Sequence, residues 1–231
     1  MTLHYHGTPI SPNAAMLTLA GRCFCVSYAR PNQVMLAHQL GQSVLLDNGA
    51  FSAFTRGEAT DWPGYYQWCD RWLAHPTTWA VIPDVIDGPS QEQDGLLNEW
   101  PHGHRGAPVW HLDEPITRLL RLADEWPRVC LGSSGEFWKV LSEPWRRRMD
   151  EVFNEVGRRH RRLPWLHMLR GMQACRGYWP FGSVDSTDIG QNHHRPENTP
   201  LAMANRWDAT QCPASWAERT PQGDLWELTD G

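Results

Sequence analysis

The segment Leu45-Leu46-Asp47-Asn48-Gly49-Ala50-Phe51-Ser52 constrains this chain more than any other. An apolar run ends in a carboxylate, and a turn of small residues follows at once. In an α/β protein that places an acid at the carboxyl end of a buried strand, where such folds collect their chemistry. The pattern recurs at Ile82-Pro83-Asp84, Trp110-His111-Leu112-Asp113 and Ser183-Val184-Asp185, so several strand ends would supply ionisable groups to one rim.

Short apolar runs alternate with amphipathic segments along the chain. The reading places strands at 3–6, 23–28, 44–46, 79–83, 109–112, 129–131, 165–169 and 182–185. Helices are expected at 13–20, 33–40, 64–74, 90–100, 116–125, 143–162, 172–178 and 200–209, the last with Thr199 as N-cap and Pro200 at its first position. Alternation of this kind demands a parallel sheet, and a count of eight predicts a single α/β domain over residues 1–231, a (β/α)8 TIM-type barrel. An open doubly wound sheet is the alternative, but no Gly-x-Gly-x-x-Gly follows the first strand. On the barrel reading, His4, His6, Tyr28 and Arg30 join the rim beside Asp47, Asp84, Asp87, His111, Asp113, Arg170, Asp185 and Asp188.

Composition narrows the chemistry. Hydrophobic residues make up 41% of the chain and include 14 tryptophans, which core and helix–sheet packing can absorb. The formal net charge of -5 advertises no general affinity for nucleic acid, although a local patch could supply one. Lys139 is the only lysine and falls at a helix start, which argues against Schiff-base chemistry. The six cysteines are scattered, and Cys23-x-Cys25 has no second pair to complete a zinc site. With a polar N-terminus and no long apolar run, the chain is expected to be cytoplasmic, with free thiols.

Two carboxylates on different strands, Asp47 and Asp185, are what glycosidic-bond chemistry needs. One attacks the anomeric carbon or steadies its cationic transition state, and the other moves a proton on the leaving group. Asp84 could read adjacent N–H donors such as a guanine edge presents, and the small residues from Gly132 to Gly135 could lie against a flat ligand. Each acid taken singly could equally cap a helix or fix a loop.

Asp47-Asn48-Gly49-Ala50-Phe51-Ser52, Pro83-Asp84-Val85, Leu131-Gly132-Ser133-Ser134-Gly135, His167-Met168-Leu169-Arg170-Gly171 and Ser183-Val184-Asp185-Ser186 occur in an order that resembles the tRNA-guanine transglycosylase superfamily. The likeness spans roughly residues 44–188 and is closest to the 7-deazaguanine DNA transglycosylases of phages and bacterial DNA-modification clusters. It implies replacement of guanine in DNA by a 7-deazaguanine base, without strand cleavage and without a cofactor. Asp185 would be the nucleophile at C1′ and Asp47 the general acid/base. Asp84, His111, Gly132, Ser133 and Arg170 would bind the base, with Phe51 as a stacking face.

The sequence departs from the tRNA-acting enzymes at several points. Cys175 and Cys212 stand apart where those enzymes carry a zinc cluster, so a minimal barrel with no metal is expected. One glycine, not two, precedes the aromatic after Asp47, which favours the DNA-acting branch. His111 stands where those enzymes read the base with a glutamine, and Asp188 lies close enough to Asp185 to compete for the nucleophile's role. Arg30, Arg56, His193 and Arg195 are candidates for contacting DNA around a nucleotide flipped from the stack. The arginine runs at 146–148 and 158–162 read instead as a solvated helix face with internal ion pairs. Accessory modification proteins are possible partners. A glycosylase using water, a tRNA-acting enzyme and a catalytically silent binding barrel are the competing readings.

Overall fold

The computed structural model describes residues 1–195 and 197–219. Its strands are β1 (Leu3–Gly7), β2 (Cys23–Ser27), β3 (Ser43–Asp47), β4 (Thr78–Val81), β5 (Gly106–Ala107), β6 (Val109–His111), β7 (Arg128–Gly132), β8 (Trp165–Met168) and β9 (Ser183–Ser186). Between and after them run α1 (Asn13–Leu17), α2 (Val34–Leu40), α3 (Ala50–Arg56), α4 (Trp62–Trp72), α5 (Ser90–Glu99), α6 (Ile116–Glu125), α7 (Glu143–Arg159), α8 (Asp188–Asn192) and α9 (Pro200–Asp208).

All pairings are parallel, in the order β5-β4-β3-β2-β1-β9-β8-β7-β6. The two outer strands, β5 and β6, are separated only by Pro108, so the sheet curls into a nearly closed barrel. The strand count is nine where eight were expected, because Gly106 and Ala107, just before the fifth expected strand, form a short strand of their own. Gly106 and Ala107 pair with β4, and Val109 to His111 pair with β7. Proline has no N–H to give a ladder, so the change of partner falls where a hydrogen bond is already missing. The Pro108 carbonyl still accepts from Cys130 N at 2.8 Å.

Alternation along the strands sorts the apolar residues into an interior and a jacket. Tyr5, Cys23, Cys25, Leu45, Trp79, Val81, Ala107, Val109 and Cys130 fill the barrel's centre. The opposite strand faces pack against helices in two larger clusters. α7 contributes Trp145, Met149, Val152, Phe153 and Val156, a stripe at helical spacing whose side chains are fully buried. Ser142 caps it by accepting from Trp145 N, and Thr199 caps α9 by accepting from Ala202 N at 3.2 Å, as expected from the Thr199-Pro200 pair.

Several elements differ from the sequence reading. α3 and α8 lie in stretches read as loops, and the segment expected to be a helix at 172–178 is a 3-10 turn over Met172–Arg176. α7 ends at Arg159, three residues short, where the chain reaches His160 in extended conformation. Three of its arginines form the expected pairs within the helix, Arg147 with Glu143, Arg148 with Glu151 and Arg158 with Glu155. Arg159 reaches Asp124 on α6 instead, and Arg148 is largely covered, its guanidinium over Trp110 and Phe137. Cys175 and Cys212 do not stand apart, since their sulfurs meet at 3.4 Å. Among the described residues no helix is long and apolar enough to cross a membrane, and no three metal-ligating side chains gather.

Candidate active site

The carboxyl ends of the strands surround a cavity of about 970 Å³, and most of the rim residues expected from the sequence face it. Asp47, Asp84, Asp185 and His111 line it, as do Gly132, Ser133, Phe51 and Arg170. Arg30 reaches it from the loop after β2 and Arg56 from the last turn of α3.

Asp185 is buried at 7% exposure on β9. Its Oδ1 accepts from the backbone N–H of Arg170 at 2.7 Å and lies 3.3 Å from His167 Nε2. His167, wholly buried inside the barrel, touches Ser183 Oγ through Nδ1 at 2.8 Å. Trp165 Nε1 donates to the same Ser183 oxygen at 2.8 Å. The positive φ of 53° at Arg170 turns the chain out of β8 so that its N–H meets this carboxylate.

Asp47 ends β3, and the turn behind it is built by Gly49 and Asn48. Gly49 has φ 78°, and a Cβ there would come within 3.1 Å of Ala29 N. Its N–H lies 3.2 Å from Asp47 Oδ2. Burial pushes the Asp47 carboxyl up to about 6, and the neighbouring charges of Asp185 and Asp84 act in the same direction. Asn48 Nδ2 donates to Asp84 Oδ1 at 2.7 Å and to Ile82 O at 2.9 Å, while its Oδ1 accepts from Ala50 N. One amide thus ties the ends of β3 and β4 to the start of α3.

Asp84 Oδ2 lies 3.0 Å from His111 Nε2, and both side chains are buried. Burial alone would push His111 down, but Asp84, Glu114 and Asp113 outweigh it and the imidazole is raised. Gly132 leaves room for this ring, since a Cβ there would sit 3.2 Å from His111 Nδ1. Arg170 stacks its guanidinium on Phe51, 3.7 Å from the ring centre.

The cavity's mouth is aromatic. Phe51, Phe54 and Trp138 all line it, and all are exposed, Trp138 by 69%. Arg30 makes no ion pair among the described residues, whereas Arg56 pairs with Glu58 at 2.7 Å.

Other expected rim residues lie elsewhere. His4 and His6 point from β1 toward the helices, where they sit 3.7 and 3.6 Å from Asp208 Oδ1. Tyr28 also turns outward, donating to Asp61 Oδ2 at 3.0 Å. Asp188 accepts from Asn192 Nδ2 at 2.7 Å and Trp207 Nε1 at 2.8 Å, so its carboxylate is engaged between α8 and α9 rather than at the cavity. His193 spans two carbonyls, Ile189 O at 2.7 Å and Ser11 O at 2.9 Å, and neither it nor Arg195 lines the cavity. Conversely, Asn48, Phe54, Trp138 and His167 carry no assigned role on the sequence reading. Their signals were present: Asn48 follows the key acid, and His167 stands two residues from Trp165 and Leu169 on the inward face of β8.

Comparison of the chain with protein-family models, with curated proteins and with solved structures finds no match in any of the three.

Proposed function

We propose that this protein is a DNA base-exchange enzyme that replaces guanine with a 7-deazaguanine derivative through a covalent glycosyl-aspartate, on a minimal TIM-type barrel in which β5 and β6 act as one strand. The observation that carries the reading is the asymmetry of two acids sharing one cavity. Asp47 holds its proton up to about pH 6, while Asp185 faces an N–H of the Arg170 backbone and the His167 ring. Pairs of acids in contrasting surroundings are how one site obtains both a proton donor and a nucleophile.

In the first half-reaction a carboxylate oxygen of Asp185 attacks C1′ of the flipped nucleotide. The C1′–N9 bond breaks, its electron pair goes to the leaving guanine, and Asp47 gives that base its proton. In the second, the incoming 7-deazaguanine attacks C1′ through N9 and returns Asp185 as a free carboxylate. Asp47 takes the N9 proton and is restored. Asp84 accepts from the N–H edge of either base, and its contact with His111 keeps its Oδ2 turned toward the cavity. The exposed aromatics at the mouth would stack on bases next to the extruded one.

Nucleoside mass spectrometry tests this on duplex DNA and, separately, tRNA incubated with the protein and 7-cyano-7-deazaguanine. A deazaguanine deoxynucleoside made by the wild type and not by Asp185→Ala is the expected result. Incorporation into tRNA alone, or release of guanine without incorporation, would replace the reading with a tRNA-acting enzyme or a glycosylase.

A further inference from the structure

The barrel has a second cavity, of about 490 Å³, at the amino-terminal ends of its strands. It lies at the opposite end of the axis from Asp47 and Asp185. Ser43, Thr78, Trp79, Arg105, Arg128 and Trp165 line it, together with apolar and uncharged polar neighbours. Two arginines therefore face one open hollow whose lining holds no carboxylate.

The placement of Arg128 is unusual for a structural residue. It opens β7 opposite Trp165 and stands two positions before Cys130, which is part of the barrel's interior core. Alternation therefore turns its side chain inward. Its guanidinium lies over the rings of Trp79 and Trp165, 5.6 and 6.0 Å from their centres. Among the described residues neither Arg128 nor Arg105 pairs with an acid. Ring faces offset only part of the cost of removing a guanidinium from water.

Other donors are also left over. Arg105 spends only one terminal nitrogen on the carbonyls of Leu73, His75 and Thr78, and its other terminal nitrogen makes no hydrogen bond among the described residues. Arg128 makes no side-chain hydrogen bond among them either. No wall residue can supply the missing negative charge at neutral pH. Burial pushes the Cys23 thiol up to about 11 and the Tyr5 hydroxyl up to about 12.

We propose that this floor cavity is an oxyanion site that takes the phosphate group of a small phosphorylated molecule, with Arg128 as its principal cation. Guanidinium forks match phosphate oxygens in pairs, and the unengaged terminal nitrogen of Arg105 is the second donor. The site does not depend on the base-exchange reading, because it shares no lining residue with the carboxylate cavity.

Isothermal titration calorimetry with inorganic phosphate, ribose 5-phosphate and acetate tests the assignment. Both phosphates should bind saturably at one equivalent, and acetate much more weakly. Arg128→Gln should weaken phosphate binding by at least about tenfold, and Arg128→Lys, which keeps the charge and loses the fork, by a smaller factor. Asp185→Asn should bind phosphate as the wild type does, whatever its effect on any reaction. Should Arg128→Gln fail to melt cooperatively, Arg128→Lys decides. Absence of saturable binding, acetate binding as tight as phosphate, or unchanged affinity in a folded variant would overturn the proposal.

Discussion

His167 Nε2 lies 3.3 Å from Asp185 Oδ1, and the ring's other nitrogen, Nδ1, lies 2.8 Å from Ser183 Oγ. The indole N–H of Trp165 can only donate, so Ser183 Oγ accepts from it and still has its own hydrogen to offer Nδ1. With Nδ1 accepting, Nε2 carries the ring's proton and directs it at the carboxylate.

His167→Leu should therefore strand the Ser183 hydroxyl and leave Asp185 Oδ1 with the Arg170 N–H alone. A stability loss of about 1–3 kcal/mol is expected in chemical denaturation. Guanine release should slow while DNA affinity stays unchanged. His167→Gln can still offer an N–H in place of Nε2, so it should recover part of the rate. Equal rates in the Leu and Gln variants would reduce His167 to a packing residue.

Asp47 predicts a pH dependence of definite sign. Its native carboxyl binds a proton more tightly than the ordinary value of 3.8, up to about 6. The stability it contributes is fully present below 3.8 and is lost as pH rises through about 6. Asp47→Asn should then be more stable than the wild type at pH 7, by about 1–3 kcal/mol, and flatter between pH 4 and 6. Guanine release should fall above about pH 6, as the proton donor ionises. Denaturation curves at several pH values and a single-turnover rate profile measure the two effects.

The Asp84–His111 pair runs the other way. His111 is raised above 6.5, so the stability it brings is present below 6.5 and lost as pH climbs through its native value. In Asp84→Asn, burial should push the imidazole down instead. The variant should lose about 3 kcal/mol against the wild type near pH 6 and distinctly less at pH 9. A gap independent of pH would mean that the pair is not charged in the native protein.

At the mouth, Trp138→Ala and Phe54→Ala remove exposed rings and should leave the melting temperature nearly unchanged. Each should weaken binding of single-stranded DNA by about tenfold, the worth of one stacked base. Arg30→Ala should instead flatten the salt dependence of binding, as loss of a phosphate contact does. Fluorescence anisotropy at two ionic strengths separates the two behaviours.

The acids were legible in the sequence because each ends an apolar run, and a run's end is a place in an α/β fold. Asp185 was separable from Asp188 by the same rule. What escaped notice were residues whose neighbours come from distant strands. His4 and His6 read as rim residues by position, but alternation turns them to the helix side, where Asp208 on α9 meets them. Arg128 falls outside the strand that the sequence starts at Val129, since a cation in an inward position runs against the apolar pattern. Its neighbour Trp165 belongs to another strand, and only the register between β7 and β8 brings the two together. α3 is obscured by its shortness and by the glycine at its start, and the turn into it, in which Asn48 accepts from Ala50 N, leaves no mark on its periodicity.

Pro108 gives the ring a buckle. Every other strand of the barrel holds its two neighbours along a shared stretch, but here the chain lets go of β4 before it takes up β7. The hoop can therefore loosen at one point without breaking a continuous ladder. Arg105 lies on one side of that point and His111 on the other, so loosening it would move a wall of the floor cavity relative to a wall of the mouth.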